Sequence, residues 1–242
     1  MKVTVAKEAG FCFGVKRATE FVEKKLSEKG KVYILGKLIH NRIYNEQLES
    51  RGAKIIAIGD VQEIAQSGEE AHIIIRTHGI PKEEELLLRK LEKEYPNITI
   101  EDMTCPFVKK IHRIADENTG ENVTLAVVGN PVHPEVLSIL SYAKGESVVF
   151  DSEESLDNYI NFEKNPEKSI VLVAQTTQNT ILWKKCEKKF KKLYTNAIIF
   201  DTICNVTDNR QSEAKSLAMR SDGMIVIGGK ESSNTHKLFE IA

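Results

Sequence analysis

Short apolar, β-branched runs alternate with longer charged stretches along the whole chain: KVTVA, KVYIL, AKIIAI, HIIIRT, ITIED, VTLAVVGN, SVVFD, SIVLVAQTT, AIIFDT and GMIVIGG. Runs of this length and content suit strands covered on both faces by helices, so the pattern predicts α/β units with mainly parallel sheets. Between them, VKRATEFVEKKLSEKG ends in the glycine expected just past a helix, and PKEEELLLRKLEKEY opens with a proline suited to a first helical turn. No low-complexity linker separates the units.

The cysteines fall in register with this rhythm. Cys12 follows KVTVA, Cys105 follows ITIEDMT and Cys204 follows AIIFDTI, each between a strand and a helix, with gaps of 93 and 99 residues. Twenty-eight residues beyond each comes a polar residue in another strand-to-helix loop: His40, His133 and Ser232. A further strand end follows in the first two units, at His78 and at Thr176. Self-similar spacing of this kind signals repeated architecture. The expected organisation is a threefold repeat of α/β domains: residues 13–104, 105–203, and an incomplete 204–242 joined by the N-terminal strand 1–12. The three cysteines are then expected to meet on a pseudo-threefold axis, because ligands of open α/β sheets bind outside the carboxyl ends of the strands.

Composition narrows the chemistry. With 34 Lys+Arg against 35 Asp+Glu over 242 residues, the formal charge is -1, which gives no electrostatic reason to expect nucleic acid or an anionic membrane as partner. An anion site must be local. The start MKVTVAKEAG lacks a secretory n-region and h-region, and no apolar run approaches a membrane span, so a cytoplasmic location is expected. Cysteines in a reducing compartment serve as thiols, nucleophiles or metal ligands more often than as disulfides.

Three thiolates in equivalent loops can hold zinc or an iron–sulfur cluster. The close cysteine pair usual for structural zinc is absent from the sequence, whereas a cubane cluster bound by three thiolates leaves one iron open to a substrate oxygen. Cys186, inside the lysine-rich WKKCEKKFKK, breaks the repeat and is expected to be structural. His40, His78 and His133, with Ser232, Ser233 and Asn234, make a set of neutral donors suited to phosphate oxygens. Glu135 in VHPE is the carboxylate beside that set and a candidate proton donor, and Thr176 a candidate substrate contact. Thr207 is expected mainly to cap a helix, and His72, His112 and His236 to be structural.

The motifs GFCFGVKRA, IHN, RTHGI, DMTCPFVKK, GNPVHPE, AQTT, TICNVTDNRQ and GGKESSNT, in this order across the whole chain, resemble the iron–sulfur 4-hydroxy-3-methylbut-2-enyl diphosphate reductases of the non-mevalonate isoprenoid pathway. The resemblance implies a 4Fe–4S cluster held by Cys12, Cys105 and Cys204 at the centre of three α/β domains. It implies that His40, His78, Ser232, Ser233 and Asn234 bind the diphosphate, and that His133, Glu135 and Thr176 surround the allylic hydroxyl. The reaction expected is reductive dehydroxylation to isopentenyl and dimethylallyl diphosphate, with electrons from a ferredoxin or flavodoxin. Family members normally continue some forty residues further, so a truncated third domain is expected. An iron–sulfur hydro-lyase and a zinc-stabilised anion-binding domain are the alternatives, separated from the reductase by reductant dependence and by sulfide content.

Overall fold

The computed structural model describes residues 2–163 and 167–242. The chain forms two compact units: Phe11–Lys109, and the paired segments Met1–Gly10 and Lys110–Ala242. The boundary falls inside a helix.

The first unit runs α1 (Phe13–Lys25), β1 (Lys31–Leu35), α2 (Arg42–Ser50), β2 (Lys54–Ile56), α3 (Val61–Gln66), β3 (Ala71–Ile75), α4 (Lys82–Glu94) and β4 (Ile98–Asp102). Its four strands are parallel in the order β2-β1-β3-β4. Alternation along β1 explains the three layers. Tyr33 and Leu35 point into a core with Val61 and Ala65 of α3 and Leu88 and Leu91 of α4. Val32 and Ile34 point to the opposite core, with Ala18 and Val22 of α1 and Leu48 of α2. Helix α4 also matches its own dipole, with Glu83, Glu84 and Glu85 in the first turn and Lys93 in the last.

The second unit repeats this plan. It contains most of α5 (Pro106–Asn118), then β5 (Val123–Val128), α6 (Pro134–Ser141), β6 (Ser147–Phe150), α7 (Glu153–Phe162), β7 (Ser169–Ala174), α8 (Thr180–Leu193), β8 (Ala197–Ile199), α9 (Asn205–Ala218) and α10 (Ser233–Ile241). Its strands are parallel in the order β6-β5-β7-β8, the same permutation as the first sheet. One face packs on Trp183, Cys186 and Phe190 of α8 and Leu156 of α7. The other packs on Ile111, Ile114 and Ala115 of α5 and Val136 and Ile139 of α6. Cys186 is therefore a core residue, as its place outside the repeat suggests, and burial pushes its thiol pKa up to about 11.

Two expected strands are not formed. KVTVA and GMIVIGG have strand-like alternation, but Val3, Val5, Ile225 and Ile227 are all exposed and neither stretch joins a ladder among the described residues. A strand needs a hydrogen-bonding neighbour as well as suitable side chains. The N-terminal segment is instead tied to α9: the backbone N–H groups of Lys7 and Glu8 donate to the Glu213 carboxylate, and Arg210 donates to the Gly10 carbonyl. Residues 204–242, expected to begin a third domain, contribute α9 and α10, which pack on each other within the second unit.

Candidate active site

The three cysteines outside the core occupy one structural position. The carbonyl of each accepts the N–H four residues on, from Lys16, Lys109 and Asp208, so Cys12, Cys105 and Cys204 each begin a helix. The helix-start dipole complements a sulfur carrying negative charge. None of the four cysteines is in a disulfide, and these three are partly exposed. Cys105 and Cys204 share a further bond: each donates its N–H to a threonine carbonyl, Thr77 at 2.9 Å and Thr176 at 3.1 Å, twenty-eight residues earlier in both cases.

Within the first unit, Cys105 lies close to the loop of Cys12. A Cβ built on Gly14 would stand 2.8 Å from Cys105 Sγ, a separation that real side chains do not adopt, so glycine at this buried position clears space for the thiol. Arg17, on the next turn of α1, donates from Nη2 to the Thr104 carbonyl at 2.7 Å and pins the chain just ahead of Cys105. In the second unit, Cys204 Sγ accepts from the Thr207 N–H at 3.3 Å and lies 3.0 Å from its hydroxyl, so Thr207 supports the cysteine as well as the helix start. Soft sulfur donors at helix starts, in no disulfide and at Cys105 cleared of side-chain bulk by Gly14, are the ligand chemistry an iron–sulfur cluster takes.

The polar residues follow the same repeat. His40 and His133 each stand five residues beyond the end of a strand, β1 and β5, and both loops begin with a glycine whose N–H extends the ladder, Gly36 to Ile56 and Gly129 to Phe150. His40 lies beside His78, the ring centroids 4.1 Å apart at 52°. His133 caps α6: its Nδ1 accepts the Glu135 N–H at 3.1 Å, which leaves the ring proton of the neutral imidazole on Nε2.

Glu135 is 3% exposed, and its carboxyl is held at both ends. Oε1 accepts the Thr176 N–H at 2.6 Å, and Oε2 accepts the Thr176 hydroxyl at 2.9 Å. Burial pushes the pKa up to about 7, against the two Thr176 bonds, which pull it down. A carboxyl poised near neutrality is suited to delivering a proton. Ser232 caps α10 by accepting the Thr235 N–H, and Ser233 Oγ accepts from the Thr177 hydroxyl at 2.9 Å. Asn234 follows in the first turn of α10.

Spacing alone aligns His78 with Thr176. The shared threonine-to-cysteine backbone bond shifts that alignment by one residue: Thr77 matches Thr176, and His78 matches Thr177. Thr177 and Gln175 are polar neighbours of Thr176 that the sequence reading passes over, and the 28-residue interval from Thr176 to Cys204, repeated from Thr77 to Cys105, is the signal that points to this stretch. The other histidines are structural. His72 bonds the Lys29 carbonyl, His112 bonds Ser138 Oγ at 2.9 Å and stacks on Tyr142, and His236 bonds the Lys230 carbonyl. Among the described residues, no helix is long and apolar enough to cross a membrane.

Comparison with known proteins bears on the whole chain. A family model described as LytB protein matches residues 3–242. The 4-hydroxy-3-methylbut-2-enyl diphosphate reductase of Alkaliphilus oremlandii is 37% identical over 243 residues, covering 100% of this chain and 81% of the relative. That of Geobacter metallireducens is 39% identical over 242 residues, covering 100% and 80%. In a longer relative from Clostridium acetobutylicum, the matched region is 36% of the protein. Two solved structures are also similar. The (E)-4-hydroxy-3-methyl-but-2-enyl diphosphate reductase, described as the terminal enzyme of the non-mevalonate pathway, has a TM-score of 0.68 at 36% identity, covering 99% of this chain and 81% of that one. The E-1-hydroxy-2-methyl-but-2-enyl-4-diphosphate reductase of Plasmodium falciparum has a TM-score of 0.79 at 28% identity, covering 96% and 70%.

Proposed function

The chain belongs to the LytB protein family, and from that premise we propose that it reductively dehydroxylates (E)-4-hydroxy-3-methylbut-2-enyl diphosphate. One substrate, two electrons and two protons give water and either isopentenyl or dimethylallyl diphosphate. The observation that carries this reading is the Glu135–Thr176 pair, a buried carboxyl poised near neutrality in the same repeat as the cysteine loops.

Cys12, Cys105 and Cys204 would hold a 4Fe–4S cluster, which would supply Lewis acidity toward the hydroxyl oxygen and one-electron transfer. The chain's own residues do the rest. His40, His78, Ser232, Ser233 and Asn234 bind the diphosphate with neutral donors. His133, carrying its proton on Nε2, orients the allylic hydroxyl. Glu135 holds the proton that leaves with that oxygen as water, and the Thr176 hydroxyl fixes the carboxyl in position. Burial of Glu135 keeps bulk water away from the proton until it is used. The two electrons come from a ferredoxin or flavodoxin.

The test is turnover by anaerobically reconstituted protein with a one-electron donor, the two diphosphate products being separated by mass spectrometry. Reductant-dependent formation of both is expected. A sulfide-containing protein that forms neither product overturns the reading, and conversion without reductant favours a hydro-lyase.

A further inference from the structure

We propose that Gln175 is a positioning residue that sets the direction of a hydrogen-bond chain through Thr177 to Ser233, so that Ser233 turns its proton, and not its lone pairs, toward a phosphate oxygen. The inference rests on the reading that Ser233 binds the diphosphate.

The chain starts from a donor that cannot be reversed. The backbone N–H of Asn130, in the loop leading to His133, donates to Gln175 Oε1 at 3.0 Å. That bond fixes which end of the amide is oxygen, so Nε2 faces the other way, 3.1 Å from Thr177 Oγ1, and must donate to it. Thr177 Oγ1, already accepting, has Ser233 Oγ as acceptor for its own proton at 2.9 Å. Ser233 Oγ in turn accepts, which leaves its proton to be donated onward. The loops of Asn130 and Thr177 and the first turn of α10 thus share one polarity.

The surroundings hold the amide in place. Gln175 is 2% exposed, its N–H bonds the Val128 carbonyl, and its own carbonyl accepts from Gln178. Gly129 makes the room: a Cβ there would stand 3.1 Å from Gln175 Cβ and 3.2 Å from Oε1. The first unit has the same construction. Arg76, one residue before Thr77 as Gln175 is before Thr176, packs against Gly36, where a Cβ would collide with its Nη1, and donates from Nε to the Gly79 carbonyl at 3.2 Å. In both units this side chain fits against the glycine of the adjacent strand end and bonds the loop that follows it. Only the glutamine of the second unit has both an acceptor and a donor, and so only it can transmit a direction. In a protein of net charge -1, the orientation of a neutral hydroxyl decides whether it attracts or repels an anion.

The experiment titrates inorganic pyrophosphate into the full chain by calorimetry under anaerobic conditions, with melting temperature and iron content recorded for every variant. Ser233→Ala should weaken binding roughly tenfold, the loss of one hydrogen bond to a charged group. Unchanged binding in that variant would overturn the reading of Ser233 itself. Gln175→Glu offers two acceptors and pulls the Thr177 proton back, so Ser233 donates inward and presents lone pairs, and binding should weaken by about tenfold or more. Adding Thr177→Val interrupts the chain and should return affinity to that of Thr177→Val alone. Simple repulsion by a new carboxylate is not relieved by Thr177→Val, so an equal loss in both backgrounds overturns the polarity chain while leaving Ser233 as a ligand. If Gln175→Glu does not fold, Gln175→Met serves: the chain predicts that Thr177→Val has no further effect once Met stands at 175, and additive losses overturn it.

Discussion

Thr176 holds both oxygens of Glu135, its backbone N–H on Oε1 at 2.6 Å and its hydroxyl on Oε2 at 2.9 Å. The same residue offers its carbonyl to the Cys204 N–H. A single residue in the loop after β7 therefore links a poised carboxyl to a candidate cluster ligand through fixed backbone geometry. An acid set on such a support has little freedom to reorganise, which favours proton delivery to one place.

Glu135→Gln keeps the shape and the N–H bond but has no transferable proton. Turnover should fall at least ~10²-fold while pyrophosphate binding stays within a few-fold of wild type. Because the native pKa is about 7, wild-type turnover should also decline as pH rises through that value and the acid is lost. Near-normal turnover by the variant with an artificial electron donor would remove Glu135 as the proton source.

The same shift makes a stability prediction. The folded pKa of about 7 lies above the ordinary value of 4.5, so between these limits the native state binds the extra proton. Its contribution is fully present below pH 4.5 and is lost as pH rises through 7. From pH 5 to pH 8, wild type should lose roughly 2–3 kcal/mol relative to Glu135→Gln. Urea unfolding of both proteins at the two pH values measures this. A constant difference would mean that burial does not raise the carboxyl.

Much of this was legible in the sequence. The runs from KVYIL to ITIED and from VTLAVVGN to AIIFDT became two parallel sheets of corresponding strand order, because short β-branched runs suit strands covered by helices. KVTVA and GMIVIGG carry the same local signal but join no ladder among the described residues, since side-chain pattern records a capacity for pairing and not the presence of a partner. The cysteine loops were visible because glycine and helix-start chemistry punctuate them. Gln175, Thr177 and Arg17 were not, because what marks them is which atoms they reach: a backbone N–H at Asn130, a hydroxyl at Ser233, a carbonyl at Thr104. Thr207 reads as a cap in the sequence, and in the fold the group it supports is a thiol.

The cysteine assignment separates cleanly by mutation. Cys12→Ser, Cys105→Ser or Cys204→Ser should sharply lower iron and sulfide per chain after anaerobic reconstitution, with folding largely retained. Cys186→Ser should behave in the opposite way, because Cys186 lies in the core beneath α8 and a hydroxyl there costs about 1–3 kcal/mol of stability if no partner is found. Its iron content per folded molecule should match wild type. Equal iron loss in all four variants would overturn the division between ligands and core.

Gly14→Ala tests the space beside Cys105 without touching any ligand. Alanine is favoured over glycine in a helix by about 0.5–1 kcal/mol, so α1 itself should tolerate or welcome the change. The new methyl, however, would stand 2.8 Å from Cys105 Sγ. The thiol must then turn or its loop must move, and the Cys105 N–H bond to the Thr77 carbonyl limits how far the loop can go. The expected result is a melting temperature for the metal-free protein within a few degrees of wild type, together with iron and sulfide contents well below it. Apo-protein thiol labelling gives a second readout that does not depend on the cluster: the rate at Cys105 should change, and the rate at Cys204 should not. Full iron loading in Gly14→Ala, with labelling rates unchanged at Cys105, would show that the glycine is there for the helix start alone.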